Sequence, residues 1–240
     1  MLPIRDLNPR RRFPILVLLL IAVNALVFFW EMTLSVPELE EAFRDLAVVP
    51  DLISDNPFSL ESILDVIRSM FMHGGYEHIL GNMLYLYLFG DNIEDRFGRI
   101  LFLVLYFLSG FVAVAAQVAI DPDSMTPMVG ASGAIAGVLG SYLVLFPTVK
   151  VQGIIPIGRM AGLQEWPALV VLGMWFILQL LSGIASLGAD YAEGGVAFFA
   201  HIGGFLAGIV FTLIFMRIYP QPDKDSREQM LYERAQRYSV

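Results

Sequence analysis

Six apolar runs, each near the roughly 20 residues that an α-helix needs to cross the hydrocarbon of a bilayer, constrain this chain more than any other feature. They occupy residues 13–30, 76–90, 100–120, 132–146, 167–187 and 197–219. Hydrocarbon offers no partner to backbone N–H and C=O groups, so a crossing segment without the marks of a closed β-barrel has to be helical. The expected fold is therefore all-α, a polytopic bundle of six transmembrane helices. Composition agrees: of 240 residues, 57% are hydrophobic and only 16% charged, too apolar for a soluble globular protein. The absence of cysteine excludes disulfides, thiolate catalysis, Fe–S clusters and Cys-type zinc sites.

Lys and Arg positions orient the bundle. Arg5, Arg10, Arg11 and Arg12 precede the first run, Arg96 and Arg99 follow the second, Lys150 and Arg159 follow the fourth, and Arg217, Lys224, Arg227, Arg234 and Arg237 close the chain. Only Arg44 and Arg68 fall on the other side, so both termini are expected in the cytoplasm. The chain then divides into a cytoplasmic tail (1–12), a transmembrane domain (13–219) with a long outer segment (31–75), and a second cytoplasmic tail (220–240). The outer segment is acidic, but Leu60, Ile63, Leu64, Ile67 and Met70 repeat at helical spacing, which predicts a structured loop lying in the interface. The net charge of −8 gives no reason to expect a nucleic-acid partner.

The fourth run is too short to span fully, at about 22 Å of helix against roughly 30 Å of hydrocarbon. The segment before it, DPDSMTPMVGA, contains Pro122 and Pro127 and cannot extend the helix outward. Irregular backbone at that depth requires protein or water around it, so a cavity open to the outer side is expected, with Ser132 at the helix start. The sixth run places His201 about one turn below its outer end, and the second places His78 and Asn82 at comparable depth. Two stripes of small residues, Gly133, Gly137 and Gly140 beside Ser132, and Ala197, Gly204 and Gly208 in line with His201, would let the two backbones approach closely.

Each residue also has an ordinary reading. Ser132 could be an N-cap, His201 could bond across helices as packing glue, and Ser141 could bond back to the carbonyl one turn earlier. His73 and His78 are spaced as HGGYEH rather than H-E-x-x-H, which argues against a metal site, and no cofactor is expected. Glu94, Asp95, Arg96 and Arg99 read as an interfacial charge cluster that orients the second run and pairs within itself.

Taken together, HGGYEHILGNM (73–83), FGDNIEDRFG (89–98), GASG (130–133) and AHIGG (200–204) resemble the rhomboid intramembrane serine proteases, over about residues 70–208. The resemblance implies a six-helix rhomboid bundle and a Ser/His dyad, with Ser132 as nucleophile and His201 as general base and then acid. It further implies that His78, Asn82 and the backbone N–H of Ser132 donate to the oxyanion. Gly130, Gly133, Gly204, Gly208, Glu94 and Arg96 are expected as structural support, single-span membrane proteins as substrates, lipid as the surroundings, and a prokaryotic plasma membrane as the location. Two positions depart from the family pattern. Leu64 and Asp65 stand where many members have Trp-Arg, and Ala136 stands where some carry an aromatic that stacks on the histidine. His201 then needs another orienting group, with Trp175 or Phe176 expected. The glycine-bearing linker 188–196 is expected to cap the site. A catalytically dead relative that escorts membrane proteins, and a proton-coupled transporter using His78 and His201, are the rival functions.

Overall fold

The computed structural model describes residues 2–157, 160–187 and 196–220. Linker residues 188–195 and tail residues 221–240, and the cap and tail expected there, lie outside the described residues.

All six apolar runs are helical. They form α1 (Ile15–Glu31), α5 (Tyr76–Ile120), α6 (Ser132–Leu145), α7 (Ala168–Ser186) and α8 (Phe198–Ile218). Among the described residues, α5, α7 and α8 are long and apolar enough to cross a membrane, and α1 and α6 are shorter apolar helices. The second and third runs are the two arms of α5, broken at Gly98, whose φ of 77° and ψ of 171° leave the helical region. Drawn straight, a helix of this length would hold His78 and Gln117 nearly 60 Å apart, at roughly 1.5 Å per residue. Both line one cavity, so the chain doubles back at Gly98. A Cβ at Gly98 would meet nothing within 4 Å, so its need for glycine is one of backbone conformation alone. Gly98→Ala is expected to lower stability by on the order of 1–3 kcal/mol, the cost of forcing a side chain into this glycine-only region, measurable as a lower thermal midpoint with no change in the cavity.

Helix α6 is the axis of the bundle. It is apolar on every side, as a helix enclosed by others must be, and from Gly133 to Tyr142 every residue is buried. The arms of α5 and helix α8 enclose it. At the contact with α8, a Cβ on Gly204 would run into the carbonyl of Gly133, and one on Gly208 into the carbonyl of Gly137. Ser141 Oγ donates to the Gly137 carbonyl one turn back at 2.9 Å and reaches the Gly208 carbonyl at 3.2 Å.

The outer segment folds into α2 (Val36–Leu46), α3 (Pro50–Ser54) and α4 (Leu60–Ser69). Ser35 and Glu38 close a capping box on α2, and Ser59 caps α4 by accepting from the Ser62 N–H. Where Leu64 and Asp65 depart from the family pattern, Asp65 and Glu61 pair with Arg68 at 3.0 and 2.8 Å. The irregular stretch 121–131 is satisfied by this segment: Met128 N–H donates to Val48, Asp51 N–H to Ser124, and Gly130 N–H to Ser69.

The molecule is mostly helical, but it adds an element that the all-α expectation lacks. A three-stranded antiparallel sheet joins β1 (Leu2–Asp6), β2 (Lys150–Ile157) and β3 (Met160–Pro167) in that order, with Leu2 opposite Ile154 and Lys150 opposite Pro167. Part of the segment expected as a plain tail is thus a strand. The charge cluster after the second run also bonds outward more than to itself. Glu94 accepts from the Leu16 and Val17 N–H groups, occupying the free donors at the start of α1. Asp95 accepts from the Arg11 and Arg12 N–H groups, and Arg96 donates to the Tyr219 carbonyl at the end of α8. The start of α1, the bend of α5 and the end of α8 are tied together there.

Asp6 lies in the same knot, accepting from Tyr142 Oη at 2.9 Å and Asn92 Nδ2 at 2.8 Å. Burial, with the Asp91 carboxylate nearby, pushes its carboxyl up from 3.8 to about 7. The folded state therefore holds this proton more tightly than the unfolded chain, so the stability it contributes is full below pH 4 and is lost as pH rises towards 7. Asp6→Asn keeps an acceptor oxygen for both donors and removes the charge. Its thermal midpoint is expected to exceed the parent's at pH 7 to 8, with the difference closing by pH 4.

Candidate active site

At the outer-segment end of the bundle the helices enclose a cavity of ≈ 1440 Å³ lined by His78, Asn82, Gln117, Ser132, Trp175 and His201, among others. Ser132 is the first residue of α6. Ala131 occupies the N-cap position, and no side chain makes a cap bond there. The serine oxygen is left to another partner: Ser132 Oγ lies 2.8 Å from His201 Nε2. The N-cap reading of Ser132 gives way to a direct contact across helices with His201.

The glycine contact explains how two helices bring these atoms together. Gly133 follows Ser132 and Gly204 lies three residues after His201, so the backbones touch within a turn of the pair. A side chain at Gly204 would press on the Gly133 carbonyl and wedge the two helices apart, whereas one at Gly133 would press on Ala113 of α5. The N-terminus of α8 is fixed from a third element, because Gln117 Oε1 on the second arm of α5 accepts from the Phe199 and Ala200 N–H groups at 3.2 and 3.3 Å.

His78 and Asn82 stand one turn apart at the start of α5. Gly130, at φ 120°, passes so close that a Cβ there would press on His78 Nε2 and lie 3.5 Å from Asn82 Nδ2. Both nitrogens therefore flank the backbone two residues ahead of Ser132. As the first residue of α6, Ser132 also has an N–H with no carbonyl one turn earlier to receive it. His78, Asn82 and Ser132 line the same cavity.

These groups have a supporting layer. His73 Nδ1 bonds the Phe71 carbonyl at 3.2 Å, and a carbonyl can only accept, so the proton sits on Nδ1 and Nε2 accepts from Asn82 Nδ2 at 3.0 Å. The His73 N–H in turn donates to Glu31 at the end of α1, and the His73 ring packs edge-on against His78 with centroids 5.1 Å apart.

Of the two aromatic residues expected beside the histidine, Trp175 lies by the His201 ring, with centroids 5.9 Å apart, whereas Phe176 stacks on Phe205. A residue that the sequence reading missed makes the polar contact: Gln179 Oε1 lies 2.8 Å from His201 Nδ1. One signal was available. Gln179 is a lone amide in an otherwise apolar run, and such a group needs a partner. Among the described residues no group of three or more His, Asp or Glu is gathered as a metal site.

Fold and site define a polytopic helical membrane protein that carries a serine–histidine pair inside a cavity between its helices. The chain belongs to the rhomboid family: the family's Rhomboid domain matches residues 61–218. Relatives include RHOMBOID-like protein 1 of Arabidopsis thaliana, 31% identical over 152 residues, or 63% of this chain and 34% of that protein. Mitochondrial Rhomboid protein 1 of Saccharomyces cerevisiae is 30% identical over 160 residues, covering 62% of this chain and 41% of its own. Rhomboid protease AarA of Providencia stuartii is 26% identical over 219 residues, covering 85% and 73%. The chain thus spans less than half the length of the plant and yeast relatives.

Proposed function

We propose that this protein is an intramembrane serine endopeptidase that cleaves transmembrane segments of single-span membrane proteins, with Ser132 as nucleophile and His201 as general base. The observation that carries this reading is the 2.8 Å contact between Ser132 Oγ and His201 Nε2 inside a cavity. A serine hydroxyl is inert near neutral pH unless a base takes its proton as it attacks. His201 takes that proton and returns it to the leaving amine, and a water activated by the same ring then hydrolyses the acyl-enzyme. Through both steps the developing oxyanion is held by His78, Asn82 and the Ser132 N–H, the kind of preorganised donors whose individual loss costs roughly 10² to 10³ in rate. A helical substrate hides its carbonyls in its own hydrogen bonds, so the segment unwinds locally before attack, and small residues are favoured at the scissile bond.

The reading includes six crossings and cytoplasmic termini. Its support is that Arg10, Arg11, Arg12 and Arg96 gather at the end of the bundle opposite the cavity, bonded to Asp91, Asp95 and Tyr219, as the distribution of positive charge requires. The plasma membrane of a prokaryotic cell is the location we assign.

The test is reconstitution of the purified chain in liposomes with a single-span substrate, alongside labelling by a fluorophosphonate. The parent should cleave and be labelled, and Ser132→Ala should do neither. Cleavage retained by Ser132→Ala or by His201→Ala would falsify the dyad.

A further inference from the structure

A dyad leaves one nitrogen of its histidine unassigned. In neutral imidazole one ring nitrogen carries the proton and the other offers a lone pair. Only the tautomer protonated on Nδ1 leaves Nε2 free to take the proton of Ser132. A histidine loose in a cavity would divide its time between tautomers and ring orientations, and the serine contact cannot choose, because a hydroxyl donates and accepts equally well.

We propose that Gln179 is the positioning residue that makes this choice, so that catalysis runs on a Ser132–His201–Gln179 relay rather than on two residues alone. This rests on the protease reading above. Gln179 Oε1 lies 2.8 Å from His201 Nδ1, and His201 Nε2 lies 2.8 Å from Ser132 Oγ, so the ring is held at both ends. An amide oxygen carries no hydrogen, so the first contact requires the proton on Nδ1. The three groups come from α7, α8 and α6. Trp175 lies one turn before Gln179 on α7 and packs beside the same ring, so one helix supplies both the acceptor and the wall. Serine–histidine sites elsewhere use a carboxylate in this place and cysteine–histidine sites an asparagine. Within a membrane domain, a neutral amide fixes the tautomer without burying a third charge.

Among the described residues, the ionisable side chains lining the cavity besides His201 are Tyr76, Glu77, His78 and Tyr85 on α5 and Asp121 beyond its end, while α6 and α7 bring none. A carboxylate introduced at 179 would therefore be, among the described residues, the only anion in direct contact with Nδ1.

The test compares Gln179→Leu and Gln179→Glu with the parent, Ser132→Ala and His201→Ala in the full chain, reading kcat, KM, the pH profile of kcat/KM and the thermal midpoint. Leucine removes the acceptor, and kcat should fall roughly 10- to 10²-fold, up to the lower end of the 10² to 10⁴ that a positioned acid–base group contributes, with KM within about twofold. Glutamate is acceptor-only, so Gln179→Glu should retain cleavage while its acid limb moves up by about one pH unit or more, because an adjacent anion favours the imidazolium. Parental kcat in Gln179→Leu overturns the proposal, and so does a Gln179→Glu whose acid limb stays in place. If Gln179→Leu unfolds early, the acid limb of Gln179→Glu decides alone. Cleavage surviving in Ser132→Ala or His201→Ala would sink the protease reading itself. If both are dead and Gln179→Leu is fully active, only the relay fails.

Discussion

The double variant Ser132→Ala/His201→Ala should cleave no more slowly than either single variant, all three lying roughly 10⁴- to 10⁶-fold below the parent. The reason is the shared contact. Ser132 Oγ and His201 Nε2 are 2.8 Å apart and in the proposed mechanism act on one proton, so removing the base leaves an unactivated hydroxyl and removing the hydroxyl leaves a base with nothing to activate. Independent contributions would multiply, and the double variant would then be far slower than the singles. What survives in all three is the cavity with His78 and Asn82, the donors proposed for the oxyanion. A fluorophosphonate requires the serine oxygen, so it should label His201→Ala slowly and Ser132→Ala not at all. Equal labelling of parent and Ser132→Ala would place the nucleophile elsewhere.

Gly208→Leu is expected to unfold the bundle at a markedly lower temperature and to abolish cleavage, although Gly208 is seven residues from His201 and touches no reacting atom. The Cβ alone would run into the Gly137 carbonyl. A backbone oxygen cannot rotate away as a side chain can, so the cost should exceed the roughly 1–3 kcal/mol of ordinary overpacking. Helices α6 and α8 would have to part, and a misplacement of about 1 Å at the reacting atoms can cost 10²-fold. Gly173→Leu is the matched control. It adds the same side chain to α7, where a Cβ meets nothing within 4 Å, and should leave both midpoint and rate near the parent's. Gly208→Leu with parental stability would mean that the two backbones do not depend on their contact.

The helices were legible because hydrocarbon leaves the backbone one solution, and two sets of boundaries follow from apolar length: the run read as 132–146 is the helix Ser132–Leu145, and that read as 197–219 is Phe198–Ile218. The run read as 76–90 instead stays helical through its charged end up to Gly98. The glycine stripes were legible for a related reason, since small residues in line have little other use inside a membrane. The sheet was not. Leu2–Asp6 has no strand signal of its own, and its partner Lys150–Ile157 lies two-thirds of the chain away, so nothing local marks the pair. Gln179 was missed in the same way. Its identity is visible in the sequence, but which histidine nitrogen it meets depends on how α7 turns against α8. The charge cluster after the second run was seen as a cluster with some internal pairing, and Arg99 does lie 4.0 Å from Glu94, but its outward bonds were not legible, because the orphan N–H groups at the start of α1 that Glu94 receives belong to a distant segment.

The pairing of Leu2–Asp6 with Lys150–Ile157 also imposes an order of assembly. During translation the strand Leu2–Asp6 has no strand partner until α6 has been made and Lys150–Ile157 has followed it off the ribosome. Until then the strand is an unmatched edge. Its docking closes the bundle late, and it ties the start of α1 to the hairpin that feeds directly into α7.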